Sequence, residues 1–255
     1  MVSVPLATLV AHCEHRLTPA KFTDYDRAWN GLQVENSGRV TKIAAAVDAS
    51  LTTVELAIAA GADLLLVHHG LFWGQTLPWT GRRYALIRRL CEHNLAVYSQ
   101  HLPLDGHPQL GNAAQLARAL GFTRLKPFFL REGVPIGVQV LLARPITREA
   151  LANRLTEVLG RAPSVLPGGK DLCQRIGICT GGAGAELPQA AREGVDTFIT
   201  GEGPHWTFAL AEDVGINAFY GGHYATETFG VKALAAELAS KFRLPWEFLD
   251  HPSGL

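Results

Sequence analysis

The chain has 255 residues, and its 23 basic and 23 acidic residues leave no net charge at neutral pH. This length allows one large domain or two small ones around a substantial core. The balanced charge argues against a global field that would draw the protein to nucleic acid or a membrane, and no apolar run is long enough to span a bilayer.

The first predicted element is an amphipathic helix near the N-terminus. Its apolar face comprises Leu6, Leu9, Val10, Cys13 and Leu17. The segment lacks the basic start and the small-residue cleavage site of a signal peptide, so we expect a cytoplasmic protein.

The elements that follow occur twice in the chain. A shift of 133 positions aligns residues 42–73 with residues 175–206 without a gap, and a shift of 122 aligns residues 94–105 with residues 216–227. Each copy reads strand, loop, helix, turn and strand, which is a βαβ unit and favours a parallel sheet covered by helices. The sequence therefore predicts an α/β fold of two similar α/β/α units from an internal duplication, built mainly of parallel βαβ elements. Two βαβ units that merely look alike are the alternative.

A segment between the two copies marks the expected boundary. Residues 126–170 are rich in proline and glycine, and they contain a strand candidate, VPIGVQVLLA, and a helix candidate, TREALANRLTEVLG. We therefore predict a first α/β half at residues 1–125 and a second at residues 126–255.

Polar side chains interrupt the apolar pattern where the predicted strands end. In parallel α/β sheets, ligands bind at these carboxyl ends. Neighbouring residues of a regular strand point to opposite faces, so His68 and His69 reach one point only at a strand tip, where the chain turns at Gly70. The residues expected at the tips are His68, His69, His101, Asp105, Glu202, His223 and Glu227.

Imidazoles and carboxylates at matching places of a duplicated architecture favour a metal site. Such donors suit zinc, iron, manganese, cobalt or nickel, and carboxylates that can bridge suggest two ions. If the halves face each other, the tips can share one cleft. A single His-x-x-x-Glu on a helix is usually a solvated pair that binds no metal. The prediction therefore rests on the combination of this pair with the other residues at the strand tips. The remaining histidines are expected to be surface or hydrogen-bonded core residues: His12, His15, His93, His107, His205 and His251.

Two further sets of residues accompany the tips. Trp73, Trp79 and Trp206 could wall a pocket for a flat ring, although core packing explains them equally well. No two of the four cysteines have CxxC spacing, and the apolar surroundings of Cys91 and Cys179 predict small buried residues.

Several motifs together resemble the Nif-three-like family, whose members are also called GTP cyclohydrolase 1 type 2 homologs or dinuclear metal centre proteins. The motifs are WNGLQVE (29–35), GADLLLVHHGLFW (61–73), HLPLDGHPQLGNAAQLA (101–117), CTGGAGAELPQAAREGVDTFITGE (179–202) and GGHYATE (221–227). The length resembles the short bacterial form. The resemblance implies two interlocked α/β/α units, a ring-shaped homohexamer and two divalent metal ions per chain. The ligands that it implies are His68, His69, Asp105, His223 and Glu227, whereas His101 is close to the site but less certainly a ligand.

The resulting hypothesis is a metal-dependent hydrolase that opens the imidazole ring of a purine nucleotide such as GTP, with His101 or Glu202 carrying protons. A phosphoesterase or amidohydrolase with the same centre is an alternative. Another is a non-catalytic protein that delivers metal, or a ring that binds a partner or a nucleic-acid strand. Binding of a nucleic-acid strand requires clustered basic residues. The Arg82-Arg83 and Arg88-Arg89 pairs are the only such candidates, and they are typical of a solvated helix face. We expect a small-molecule substrate and no membrane partner.

Overall fold

The structure is a computed structural model that describes residues 2–26, 28–73 and 77–255. The first elements are β1 (Val4–Pro5), α1 (Leu6–Leu17), β2 (Gly31–Val34), β3 (Arg39–Val40), β4 (Ile43–Asp48), α2 (Leu51–Ala59), β5 (Leu64–His69), α3 (Gly81–Glu92), β6 (Ala96–Ser99) and α4 (Leu102–Asp105). The later elements are α5 (Asn112–Ala119), β7 (Lys126–Arg131), β8 (Val134–Thr147), α6 (Arg148–Leu159), β9 (Ser164–Pro167), β10 (Leu172–Ile178), α7 (Leu187–Arg192), β11 (Thr197–Thr200), α8 (Thr207–Val214), β12 (Asn217–Tyr220), α9 (His223–Phe242) and β13 (Trp246–Phe248). Within the described ranges, no helix has the length and apolar character needed to cross a bilayer.

The chain folds into two compact units. The first comprises Met1–Leu104 and Gly230–His251, and the second comprises Asp105–Phe229 and Pro252–Leu255. These bounds differ from the predicted boundary between residues 125 and 126, because strand β13 near the C-terminus pairs with β4 and helix α5 contacts β8. The division into a first α/β half at 1–125 and a second at 126–255 stays a prediction.

The first unit is built on a five-stranded sheet with the order β13-β4-β5-β6-β2. Strands β13, β4, β5 and β6 run parallel, and β2 pairs antiparallel at one edge. The central strands are buried on both faces, as expected for parallel strands covered by helices. On one face, Leu65 and Val67 pack against Val54 of α2 and Leu90 of α3. The carboxyl ends of β4, β5 and β6 therefore meet at one edge of this sheet.

The second unit contains a six-stranded sheet with the order β7-β8-β10-β11-β12-β9. Strands β10, β11 and β12 are parallel, whereas β7, β8 and β9 pair antiparallel. The α/β fold is confirmed, but this sheet holds more antiparallel pairs than we predicted. One cause is the β7–β8 hairpin, in which Glu132 and Gly133 both adopt positive φ, at 48° and 82°; a turn with two such residues joins antiparallel strands.

The core of the first unit gives a stability prediction. Leu65 of β5 is fully buried, so we expect Leu65→Ala to lower the free energy of unfolding by about 2–5 kcal/mol. Urea denaturation measures this loss. The matched control is Leu56→Ala on α2 of the same unit, where the side chain is 38% exposed and the expected loss is roughly 1 kcal/mol or less. Equal losses in the two variants would contradict this description of the core.

Candidate metal centre

Two adjacent histidines end strand β5. His68 is fully buried, and its Nδ1 lies 2.9 Å from the carbonyl oxygen of Gln100. His69 is partly exposed, and its Nδ1 lies 2.9 Å from Asp48 Oδ1 at the end of β4. The two ring centroids are 4.8 Å apart. The strand ends at His69, and a Cβ on Gly70 would overlap the amide of Gln33, so a larger residue there would have to displace that side chain.

A third imidazole of the first unit joins this pair. His101 follows β6, and its ring centroid lies 4.9 Å from that of His68 and 5.5 Å from that of His69. Its Nδ1 lies 2.7 Å from Asp24 Oδ1. One potential ligand nitrogen from each of the three rings lies within 4.8 Å of the others. The structure thus brings His101, predicted as a proton carrier, into the same group of potential ligands.

The hydrogen bonds at Nδ1 determine which nitrogen of each ring can bind a metal. A carbonyl oxygen only accepts, so Nδ1 of His68 donates to Gln100 and the neutral ring carries its lone pair on Nε2. Carboxylates orient His69 and His101 in the same way. Burial alone would raise the pKa of Asp24, but the hydrogen bond from His101 and its charge outweigh burial and lower that pKa below its ordinary value. Carbonyl or carboxylate partners of this kind hold histidine ligands in metal sites.

The donor group of the second unit lies at the start of α9. His223 and Glu227 are one helical turn apart, with His223 Nε2 3.2 Å from Glu227 Oε2. His223 Nδ1 lies 2.8 Å from Glu202 Oε1. Burial lowers the pKa of His223, but Glu227 and Glu202 outweigh it and raise that pKa to about 9. Glu202, predicted to carry protons, therefore contacts the imidazole as an orienting carboxylate.

Asp105 supplies the remaining predicted carboxylate of the second unit. It ends α4 and is buried. Its Oδ1 accepts a hydrogen bond of 2.8 Å from Asn112 Nδ2, and the Thr180 hydroxyl lies 3.5 Å away. These contacts hold the Asp105 carboxylate in place beside Asn112, the first residue of α5.

The donor chemistry of the described residues fits a divalent metal. The first unit groups three imidazoles, and the second holds an imidazole and two buried carboxylates. Nitrogen and oxygen donors of these types suit zinc, iron, manganese, cobalt and nickel.

Sequence reasoning missed Asp24 and Asp48, the two carboxylates that orient His101 and His69. Asp48 had one available signal, since it ends a strand of the repeated unit, but position 181 of the other copy is glycine. Asp24 lies in a segment without regular periodicity, and its contact joins residues that are 77 positions apart.

Among the described residues, the donor groups include neither the other histidines nor the cysteines. His12 contacts Glu237, and His107 accepts hydrogen bonds from backbone N–H groups. Cys179 is buried as predicted, but the prediction for Cys91 is wrong, because α3 buries its face at Leu86 and Leu90 and exposes Cys91.

Close packing around Glu227 gives a second prediction. Gly181 has φ of 70°, and a Cβ there would overlap Glu227 Oε1. We expect Gly181→Ala to displace that carboxylate and to reduce bound metal in elemental analysis. The matched control is Gly194→Ala, because Gly194 also has positive φ, at 86°, but has open space around it; backbone strain of about 1–2 kcal/mol is its only expected cost. Equal metal content in the two variants would count against this role of Gly181.

Comparison with known proteins places the chain in a family. A curated relative from Deinococcus radiodurans, named "GTP cyclohydrolase 1 type 2 homolog", is 43% identical over 230 residues, covering 90% of this chain and 88% of the relative. A relative from Halobacterium salinarum with the same name is 44% identical over 240 residues, covering 92% and 94%. The crystal structure of a Thermus thermophilus protein matches with a TM-score of 0.88 and 39% identity, covering 99% of this chain and 100% of that one. Residues 5–252 match the Duf34/NIF3 (NGG1p interacting factor 3) family, and the chain belongs to that family.

Proposed function

We propose that this chain is a metal-dependent hydrolase with a dinuclear centre, whose ligands are His68, His69, Asp105, His223 and Glu227. One observation carries the proposal. A carbonyl or carboxylate oxygen engages Nδ1 of all three proposed histidine ligands, and this contact orients Nε2 for a metal.

The proposed chemistry is attack by water. When bound, divalent ions acidify water and polarise an electrophile near neutral pH. Asp105 and Glu227 contribute negative charge that balances the cations. With Nδ1 held by Asp24, His101 offers Nε2 as a proton acceptor. For Glu202 the contact with His223 supports a positioning role, and proton transfer by Glu202 stays a prediction.

The proposed substrate is a purine nucleotide such as GTP. The name shared by the curated relatives supports it, and the reaction is attack of water on C8 with opening of the imidazole ring. The ring-shaped homohexamer and the cytoplasmic location remain predictions from the resemblance and the sequence.

The test is turnover by the purified full chain. The protein, as purified and after addition of zinc, manganese, iron, cobalt or nickel, is incubated with GTP, and mass spectrometry follows addition of one water. Phosphoesters and cyclic amides are assayed in parallel. We expect a metal-dependent ring-opened product. Turnover only of the other substrates would replace the proposed reaction, and retained metal without any turnover would favour metal delivery.

A further inference from the structure

A cavity of about 320 Å³ lies beside His69 in the first unit. Its walls come from the segment that follows β5 and from the start of α3. They include Gly70, Leu71, Trp73, Leu77, Trp79 and Arg83. One wall is held firmly, because the Leu71 N–H donates a hydrogen bond of 2.6 Å to Gln33 Oε1. The volume is at the lower end of the range for small-molecule sites, which suits a mononucleotide better than a larger ligand.

Two exposed tryptophans form the sides of this cavity. Trp73 is 46% exposed and Trp79 is 39% exposed. Indoles with this much exposed surface provide flat faces on which a ring can stack. Core packing, the alternative explanation for these residues, therefore does not account for their exposure.

Trp73 lies between the cavity and two of the three imidazoles. Its ring centroid lies 4.8 Å from that of His101, with an interplanar angle of 88°, and 5.6 Å from that of His69. A ligand against Trp73 is therefore next to His69, a proposed metal ligand, and to His101, the proposed proton acceptor.

The cavity is also lined by a positive charge. The Arg83 guanidinium lies over the Trp79 ring, 4.8 Å from its centroid. The first turn of α3 carries Arg82 and Arg83 and no acidic residue, although the positive end of a helix dipole disfavours cations. An arginine beside an aromatic face suits a ligand that combines a flat ring with a phosphate.

From these contacts we infer that the cavity binds the substrate of the proposed centre, and that this substrate is a planar heteroaromatic ring bearing a phosphate group. The inference rests on the proposed function. The ring stacks on the indoles of Trp73 and Trp79, and the phosphate contacts Arg83. Arg83 is thus assigned to ligand binding, in contrast to the solvated helix face that the sequence predicted.

The test is isothermal titration calorimetry of the purified full chain with GTP, guanosine and tripolyphosphate. We expect Trp79→Ala to weaken GTP binding by roughly 5- to 150-fold, the effect of losing one stacked base. Trp79→Phe keeps an aromatic face and retains most of the affinity. Arg83→Gln weakens binding of GTP by about tenfold or more and that of guanosine much less.

Two matched controls are expected to leave GTP binding unchanged. Phe208→Ala removes an exposed aromatic ring of α8 in the second unit, and Arg88→Gln removes an arginine of α3 that pairs with Glu92. No binding of GTP by the wild type, or equal affinity in Trp79→Ala, Arg83→Gln and the controls, would overturn the inference.

Metal analysis of the same samples distinguishes failure of the cavity assignment from failure of the proposed function. Bound metal with no effect of the cavity variants would remove only the cavity assignment. Nucleotide binding that depends on Trp79 and Arg83 in a chain that binds no metal would support the cavity and remove the hydrolase.

Discussion

Glu227→Gln is expected to lower the rate of hydrolysis by more than about a hundredfold, since even changes to the outer partners of metal ligands cost 10–100-fold. Glu227 is almost fully buried and contacts His223. Glutamine keeps its size but removes the negative charge and leaves a weaker oxygen donor, so at least one metal position should empty. Steady-state turnover and elemental analysis measure the two effects.

The matched control for this change is Glu212→Gln. Glu212 lies on α8 of the same unit and is exposed, so its neutralisation should leave metal content and turnover unchanged. Thermal unfolding of each variant checks that the fold is retained. Wild-type turnover and metal content in folded Glu227→Gln protein would exclude Glu227 as a ligand.

The double variant His68→Ala/His69→Ala is expected to lose at least one bound metal per chain and all measurable turnover. Both rings are held at Nδ1 by oxygen atoms of the first unit, so their removal takes away two oriented donors at once. Elemental analysis measures the metal, and the hydrolysis assay measures the activity.

Two exposed histidines of the same unit give the control, His15→Ala/His93→Ala. Because His68 is fully buried and its truncation could destabilise the chain, the single variant His69→Ala is measured as well. Full metal content in folded His69→Ala protein would show that this imidazole is not a ligand.

Much of this arrangement could be predicted from local patterns. The apolar run before His68 and His69 predicts a buried strand that ends on two imidazoles, and β5 ends at His69. The spacing of His223 and Glu227 predicts two donors one helical turn apart, and α9 begins at His223. Both features depend on residues that are close in the chain, where periodicity is informative.

The rest of the fold and of the candidate site depends on contacts between residues that are distant in the chain. The addition of β13 beside β4 pairs residues about 200 positions apart, such as Trp246 with Ile43. Similarly, Asp24 reaches His101 only because the chain before β2 returns to the end of β6. No local periodicity encodes such pairings, so neither the bounds of the units nor the orienting carboxylates followed from the sequence.

Elemental analysis of the purified wild-type chain tests the central claim most directly. The proposed ligand set predicts about two divalent metal ions per chain, as in two-metal hydrolases, retained on dialysis or restored after chelation. A wild-type protein that neither carries nor rebinds a divalent metal would contradict the proposed centre and every ligand assigned to it.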